Sequence, residues 1–176
     1  GYLSEIDLFK KTRNQTNHLL TPKALLRYAP GHMRRENTGT RLNHLNVFGL
    51  ERLGTHNNFE NGLSSTVGFD YKITNPKNEF NLSIGQVINE KENNNMPDSS
   101  SLNEKLSDVV GNANLSINKN INLNYNFSLD QNYNDLNYNE IASTLNYEKL
   151  NLDFNYLQEK KHIGNNEYFK TNLSYR

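Results

Sequence analysis

Between Ile121 and Asp130 the chain reads INLNYNFSLD. Ile121, Leu123, Tyr125, Phe127 and Leu129 occupy one parity, and Asn122, Asn124, Asn126, Ser128 and Asp130 the other. Successive side chains of a β-strand point to opposite faces, so the segment predicts a strand with one apolar and one amide face. The same alternation, bounded by turn residues, predicts strands over 62–73, 79–88, 107–117, 138–147, 150–159 and 167–176. Weaker patterns at 1–9 and 20–29 bring the total to about nine. Each runs about ten residues, the length a tilted strand needs to cross a bilayer and longer than the usual five or six of soluble sheets.

The connections alternate in length. Asn118-Lys119-Asn120 and Glu148-Lys149 make tight hairpins, whereas 89–106, 131–137 and 160–166 are longer polar segments. Short turns at one end and long loops at the other describe an outer-membrane barrel. The stretch 45–53, LNVFGLERL, could be a further strand, but Glu51 and Arg52 would then fall on opposite faces and the loop alternation would break. The expectation is therefore two long external loops, 30–61 and 89–106, in a single domain spanning 1–176.

Composition sharpens the choice of solvent. Only 34% of residues are hydrophobic, mean hydropathy is −0.87 and 33 of 176 residues are Asn; globular domains approach half apolar. Such polarity suits a disordered tract, a solvated repeat or a sheet with one wet face, and strict alternation favours the sheet. No apolar run reaches transmembrane-helix length, so a spanning structure must be a β-barrel. In that setting Ile121, Leu123, Tyr125, Phe127 and Leu129 face lipid. Asn122, Asn124 and Asn126 face a wet lumen, where an amide costs little; facing lipid at the midplane it would cost a few kcal/mol. Lys23, Arg27, Asp70 and Lys72 are the charged lumen candidates. Tyr138, Tyr147, Tyr156 and Tyr175, towards strand ends, suit the membrane interface. The alternative is a solvent-exposed sheet whose apolar face packs on a partner or a second sheet.

Charge and motifs add little chemistry. Net charge is zero, so there is no electrostatic case for nucleic acid. The absence of Cys removes disulfides, redox CxxC motifs and zinc-thiolate sites. The five histidines, 18, 32, 44, 56 and 162, fall in expected loops or turns without metal-binding spacing. Residues 130–141 imitate a calcium loop through Asp130, Asn132 and Asn134, but Asp135 stands where Gly is required and Ile141 where the bidentate Glu belongs. Glycosylation sequons at Asn14, Asn81, Asn114, Asn126 and Asn172 are what an Asn- and Ser-rich chain yields by chance, and most fall inside strands. No catalytic residue, cofactor site or metal site is expected, and nothing supports an enzyme.

Five segments, in order, carry a resemblance: LLTPKALLRYAPGHMR (19–34), NVFGLERLG (46–54), FNLSIGQVINEKENNNMPDSSSLNEKLSDVVG (80–111), LNYNFSLDQNYNDLNYNEI (123–141) and EKKHIGNNEYFKT (159–171). Together they resemble the lipopolysaccharide-assembly outer-membrane protein family (LptD, the organic-solvent-tolerance protein), especially its alphaproteobacterial branch. The resemblance implies an all-β antiparallel transmembrane barrel in the outer membrane of a Gram-negative bacterium. Such a barrel receives lipopolysaccharide from a periplasmic transport bridge and inserts it into the outer leaflet, with a lipoprotein plugging the lumen. The family's lateral gate and essential cysteines have no counterpart here. With Gly1 leading straight into YLSEIDLF, the chain is expected to be an internal fragment of the barrel wall whose first and last strands lack partners and which does not fold alone in water. Two other readings stay open: another outer-membrane barrel (a porin or an autotransporter translocator), and a soluble secreted β-rich binding protein.

Overall fold

The computed structural model describes residues 1–13, 15–55, 57–161 and 164–175. His56, His162 and the sequon residue Asn14 lie outside them. Ten strands form one antiparallel sheet: β1 (Tyr2–Glu5), β2 (Leu8–Lys11), β3 (Asn17–Ala29), β4 (Gly62–Thr74), β5 (Asn78–Asn89), β6 (Val109–Ile117), β7 (Ile121–Leu129), β8 (Leu136–Tyr147), β9 (Leu150–Glu159) and β10 (Asn166–Tyr175). From β3 to β10 every strand pairs with its sequence neighbour, and β1 and β2 both pair with β3. The sheet is open: β1 and β2 form one edge and β10 the other. The single helical turn among the described residues is a 3-10 turn at Asp98–Ser100.

β1 and β2 are one strand position interrupted at Ile6-Asp7. The register against β3 is the same on both sides of the break, with Glu5 opposite Lys23 and Leu8 opposite Leu20. Opposite the gap stand Thr21 and Pro22, and proline has no N–H to give the ladder. Asp7 fills part of the gap by accepting the Thr21 hydroxyl at 2.7 Å, and Ile6 N–H reaches the Pro22 carbonyl at 3.3 Å. The expected nine strands are thus nine sheet positions, the first broken by a proline on its neighbour.

Short connections gather at one end of the sheet. The 118–120 turn holds Asn118 and Lys119 in the left-handed region, φ 50° and 61°, a backbone whose twist matches that of its strands. In the 75–77 turn the Asn75 side chain accepts from the N–H groups of Lys77 (3.0 Å) and Asn78 (2.8 Å). The opposite end carries the long connections.

Register settles the two faces. Ile121, Leu123, Tyr125 and Phe127 stand opposite Ile117, Leu115, Ala113 and Gly111 of β6. In the next pairing Leu115, Ala113 and Gly111 meet Phe80, Leu82 and Ile84 of β5, which meet Ile73, Tyr71 and Phe69 of β4. The apolar parity therefore stays in phase across the sheet, with ring contacts between Tyr125 and Phe127 and between Phe154 and Phe169. Asn122, Asn124 and Asn126 share the other face with Lys23, Arg27, Asp70 and Lys72.

Several expectations change. His18 is not in a loop: it lies in β3 on the apolar face, its ring Nδ1 2.9 Å from the Tyr71 hydroxyl. Tyr138 is on the polar face and buried, so it is no interface residue, whereas Tyr147 and Tyr175 are exposed at the short-turn end of the apolar face. β8 starts at Leu136 and carries a bulge opposite Ser128 and Leu129, leaving Asn137 as the extra residue. Residues 30–61 contain no strand, as expected, but do not stand away from the sheet.

The polar face and its folded cap

Segment 30–61 folds down onto the polar face and packs with segment 90–108. Met33, Leu42, Val47, Leu53, Met96 and Leu102 bury themselves against Val87 of β5 and Val110 of β6, with Phe48 beside them. The two segments are tied by Glu36 N–H to the Asn95 carbonyl at 2.9 Å. Asn89, at the end of β5, donates its amide to the carbonyls of Leu102 (3.1 Å) and Glu104 (2.8 Å). We call this unit the cap.

A cross-strand glycine pair makes the seat. Gly68 and Gly85 stand opposite each other on the polar face, and a Cβ on Gly68 would lie 2.9 Å from Phe48 Cζ and 2.8 Å from Gly85 Cα. A Cβ on Gly85 would lie 2.9 Å from Val47 Cγ1. Only two hydrogens in place of side chains let Val47 and Phe48 approach the sheet. Lys23, whose strand position faces Gly68, holds its ammonium 5.8 Å from the Phe48 ring centroid.

Three arginines hold the cap, Arg52 and Arg27 on one side and Arg41 on the other. On the β3–β4 side Arg52 is fully buried; its Nε donates to Glu60 Oε2 at 2.9 Å, its Nη2 pairs with Glu60 Oε1, and its remaining donors reach Ser64 Oγ (3.1 Å) and Thr66 Oγ1 (3.3 Å). Arg27 of β3 adds a second cation, its Nη1 3.6 Å from Glu60 Oε1 and its Nε donating to the Leu50 carbonyl at 2.7 Å. Burying these charges is tolerable because the carboxylate is bidentate and nearly every donor is met. On the far side Arg41 lies 3.3 Å from the Tyr138 ring centroid and donates through Nη1 to Glu159 Oε2 at 3.3 Å. A third buried knot joins strand ends: Asp108 Oδ2 accepts from Ser128 Oγ and from the bulged Asn137, both at 2.8 Å.

Nearer the short turns the same face is open and wet. Lys23 pairs with Asp70 (2.6 Å) and Glu5 (3.3 Å), and Lys72 with Glu79 (2.8 Å). The asparagines form a cross-strand lattice: Asn112 donates to Asn126 Oδ1 at 2.7 Å, Asn114 to Asn122 Oδ1 at 3.1 Å, and Asn126 to Asn124 Oδ1 at 3.1 Å and Glu140 Oε2 at 3.0 Å. All seven polar candidates therefore share one face, Arg27 under the cap and the rest beside or below it. Ile121, Leu123, Tyr125, Phe127 and Leu129 share the other. Sequence reasoning missed Arg41, Glu60, Glu140 and Glu159, and named Arg52 and Tyr138 without these contacts. Their partners are far apart in sequence, and only the exceptions to alternation beneath them, Leu25, Val87 and Val110 on the polar parity, signalled a covered zone.

Among the described residues no group of three or more His, Asp or Glu could hold a metal ion. The calcium-like stretch is a tight loop closed by Asp130 N–H to the Asp135 carbonyl (2.8 Å), leading into β8. The sheet carries one continuous apolar face and one hydrophilic face.

A comparison with curated proteins gives no match. The family model described as LPS transport system D (LptD) matches residues 4–175. With nearly its whole length matched, this two-faced sheet belongs to the LptD family of lipopolysaccharide transport proteins.

Proposed function

We propose that the chain is a wall segment of an outer-membrane β-barrel translocon that inserts lipopolysaccharide into the outer leaflet. The observation that carries this reading is the phase lock of the apolar face from β3 to β10, against which the described residues place no second sheet. Ile121, Leu123, Tyr125, Phe127 and Leu129 contact lipid hydrocarbon. The polar face, with Lys23, Arg27, Asp70, Lys72, Asn122, Asn124 and Asn126, lines the lumen, and segments 30–61 and 89–106 close its outer end. Family membership supports lipopolysaccharide as cargo. The plug lipoprotein and the periplasmic bridge are the partners that the resemblance implies for the full protein. On this reading the segment serves transport rather than catalysis.

Depleting the full-length protein in its own cells is expected to lower surface lipopolysaccharide while the lipid accumulates behind the outer membrane. Undiminished surface lipopolysaccharide with a new loss of ion permeability would favour a porin instead. Recovery of the protein in the soluble fraction after membrane extraction would sink the barrel reading altogether.

A further inference from the structure

We propose that the cap is a hinged gate, rooted permanently on β3–β5 and closed on β8–β9 by a releasable latch formed by Arg41; this rests on the reading of the polar face as a lumen. The two attachments differ in how completely they are made. At the root, Glu60 takes two donors from Arg52, Arg27 adds a second cation, Ser64 and Thr66 accept the other Arg52 donors, and Phe48 sits in the glycine seat. At the latch, Arg41 gives Glu159 one hydrogen bond of 3.3 Å, while Arg41 Nε and Glu159 Oε1 are buried with no hydrogen-bond partner. Arg27 Nη1 at the root is bare as well, but opening the root breaks the whole Arg52–Glu60–Ser64–Thr66 network, whereas opening the latch breaks one long hydrogen bond and one ring contact and lets water reach two bare atoms, so the latch is the weaker attachment.

The latch is braced to move as a unit. Asn43 N–H donates to Asn46 Oδ1 (2.8 Å), Asn46 N–H returns to Asn43 Oδ1 (3.2 Å), and Asn46 Nδ2 holds the Arg41 carbonyl (3.1 Å). Residues 41–46 thus form a stiff arm between Arg41 and the Val47-Phe48 anchor. Beneath the arm lies a cavity of about 190 Å³, bordered by Arg41, His44, Asn126, Tyr138 and Glu140. Lifting Arg41 joins that space to the wet lattice below it, while the root keeps the cap attached.

The test uses the full-length protein in intact cells, with Ala142→Cys on the polar face as a reporter. The probe is a polyethylene-glycol maleimide too large for porins, which reaches position 142 only through the capped end. Arg41→Ala is expected to speed labelling several-fold, and Arg41→Glu at least as much. Combining Arg41→Glu with Glu159→Arg should bring the rate back towards the parent, which loss of folding would not do. A replacement of 41–53 by a short Gly/Ser linker marks the fully open limit. An unchanged rate in Arg41→Ala, with fast labelling in the linker variant, overturns the latch and leaves the barrel-wall reading standing. No labelling in any intact-cell variant, with ready labelling after detergent extraction, overturns the lumen reading and the latch with it.

Discussion

The polar face has two halves built on one backbone ladder. Near the short turns it carries Lys72, Glu79, Asn114 and Asn122, half-open to solvent and paired mostly with one another across strands. Near the long loops it carries Arg27, Ser64, Thr66, Val87, Val110, Ser128 and Glu159, all buried under the cap. In the wet half a lost partner is replaced by water, so each hydrogen bond contributes little net stability. In the capped half a lost partner leaves a buried charge or hydroxyl bare, and the same kind of contact becomes decisive. A residue's parity therefore says which face it takes, whereas its distance from the loops says how much it matters.

The sharpest way to break this contrast is at the root. Arg52→Ala strands Glu60 beside Arg27 alone and is expected to cost about 3–5 kcal/mol, read as a lower unfolding temperature of the full barrel in detergent. The matched change in the wet half, Lys72→Ala, should cost no more than about 1 kcal/mol; equal losses from the two would erase the distinction. Next in size is a test across the faces rather than along one. Leu123→Lys puts a charge on the apolar face and is expected to cost about 2–4 kcal/mol near the midplane, while the neighbouring Asn124→Lys should be nearly silent, as measured by folded protein in the outer membrane. Filling the seat comes third. Gly85→Val drives side-chain carbons into the space of Val47 and Phe48, an overpacking of about 1–3 kcal/mol. Protease cleavage within 33–53 should rise, and Phe48→Ala should partly relieve it; additive damage from the pair would deny direct contact.

The strands and their faces were legible because period-2 alternation is a one-dimensional record of a two-sided environment, and here it runs through most of the chain. The alternation of loop lengths likewise ruled out a strand at 45–53. What escaped is of a different kind. Arg52 reads as a charge incompatible with a strand, which is correct, but its partners Glu60, Ser64 and Thr66 are chosen by a fold of the loop that no periodicity encodes. His18 falls just outside the strand expected over 20–29; the long pairing of β3 with β4 extends that strand back to Asn17 and takes His18 into it. The cap did leave one trace in the sequence. Leu25, Val87 and Val110 interrupt the polar parity, and Gly68 and Gly85 stand opposite each other within it, so the face is dry and smooth where something sits on it.

The smallest expected effect lies at the boundary between the two halves, in His44 of the cap. Burial holds its pKa below the ordinary 6.5, although Asp70 pulls the other way. A released cap would return His44 to water and the ordinary value, so between the two values the released state binds more protons. Docking is therefore favoured in full above about pH 6.5 and weakens as pH falls through that value towards the lower one of the docked state. Cleavage within the cap should rise modestly from about pH 7.5 to about pH 5.5, before most carboxylates titrate. His44→Gln, which cannot charge, should flatten that rise. The wet half gives the contrasting expectation: its lattice is already in water, so labelling at its short-turn end should not follow the same curve. A profile that survives in His44→Gln would place the sensitive group elsewhere in the cap and leave the boundary between the halves unmarked by His44.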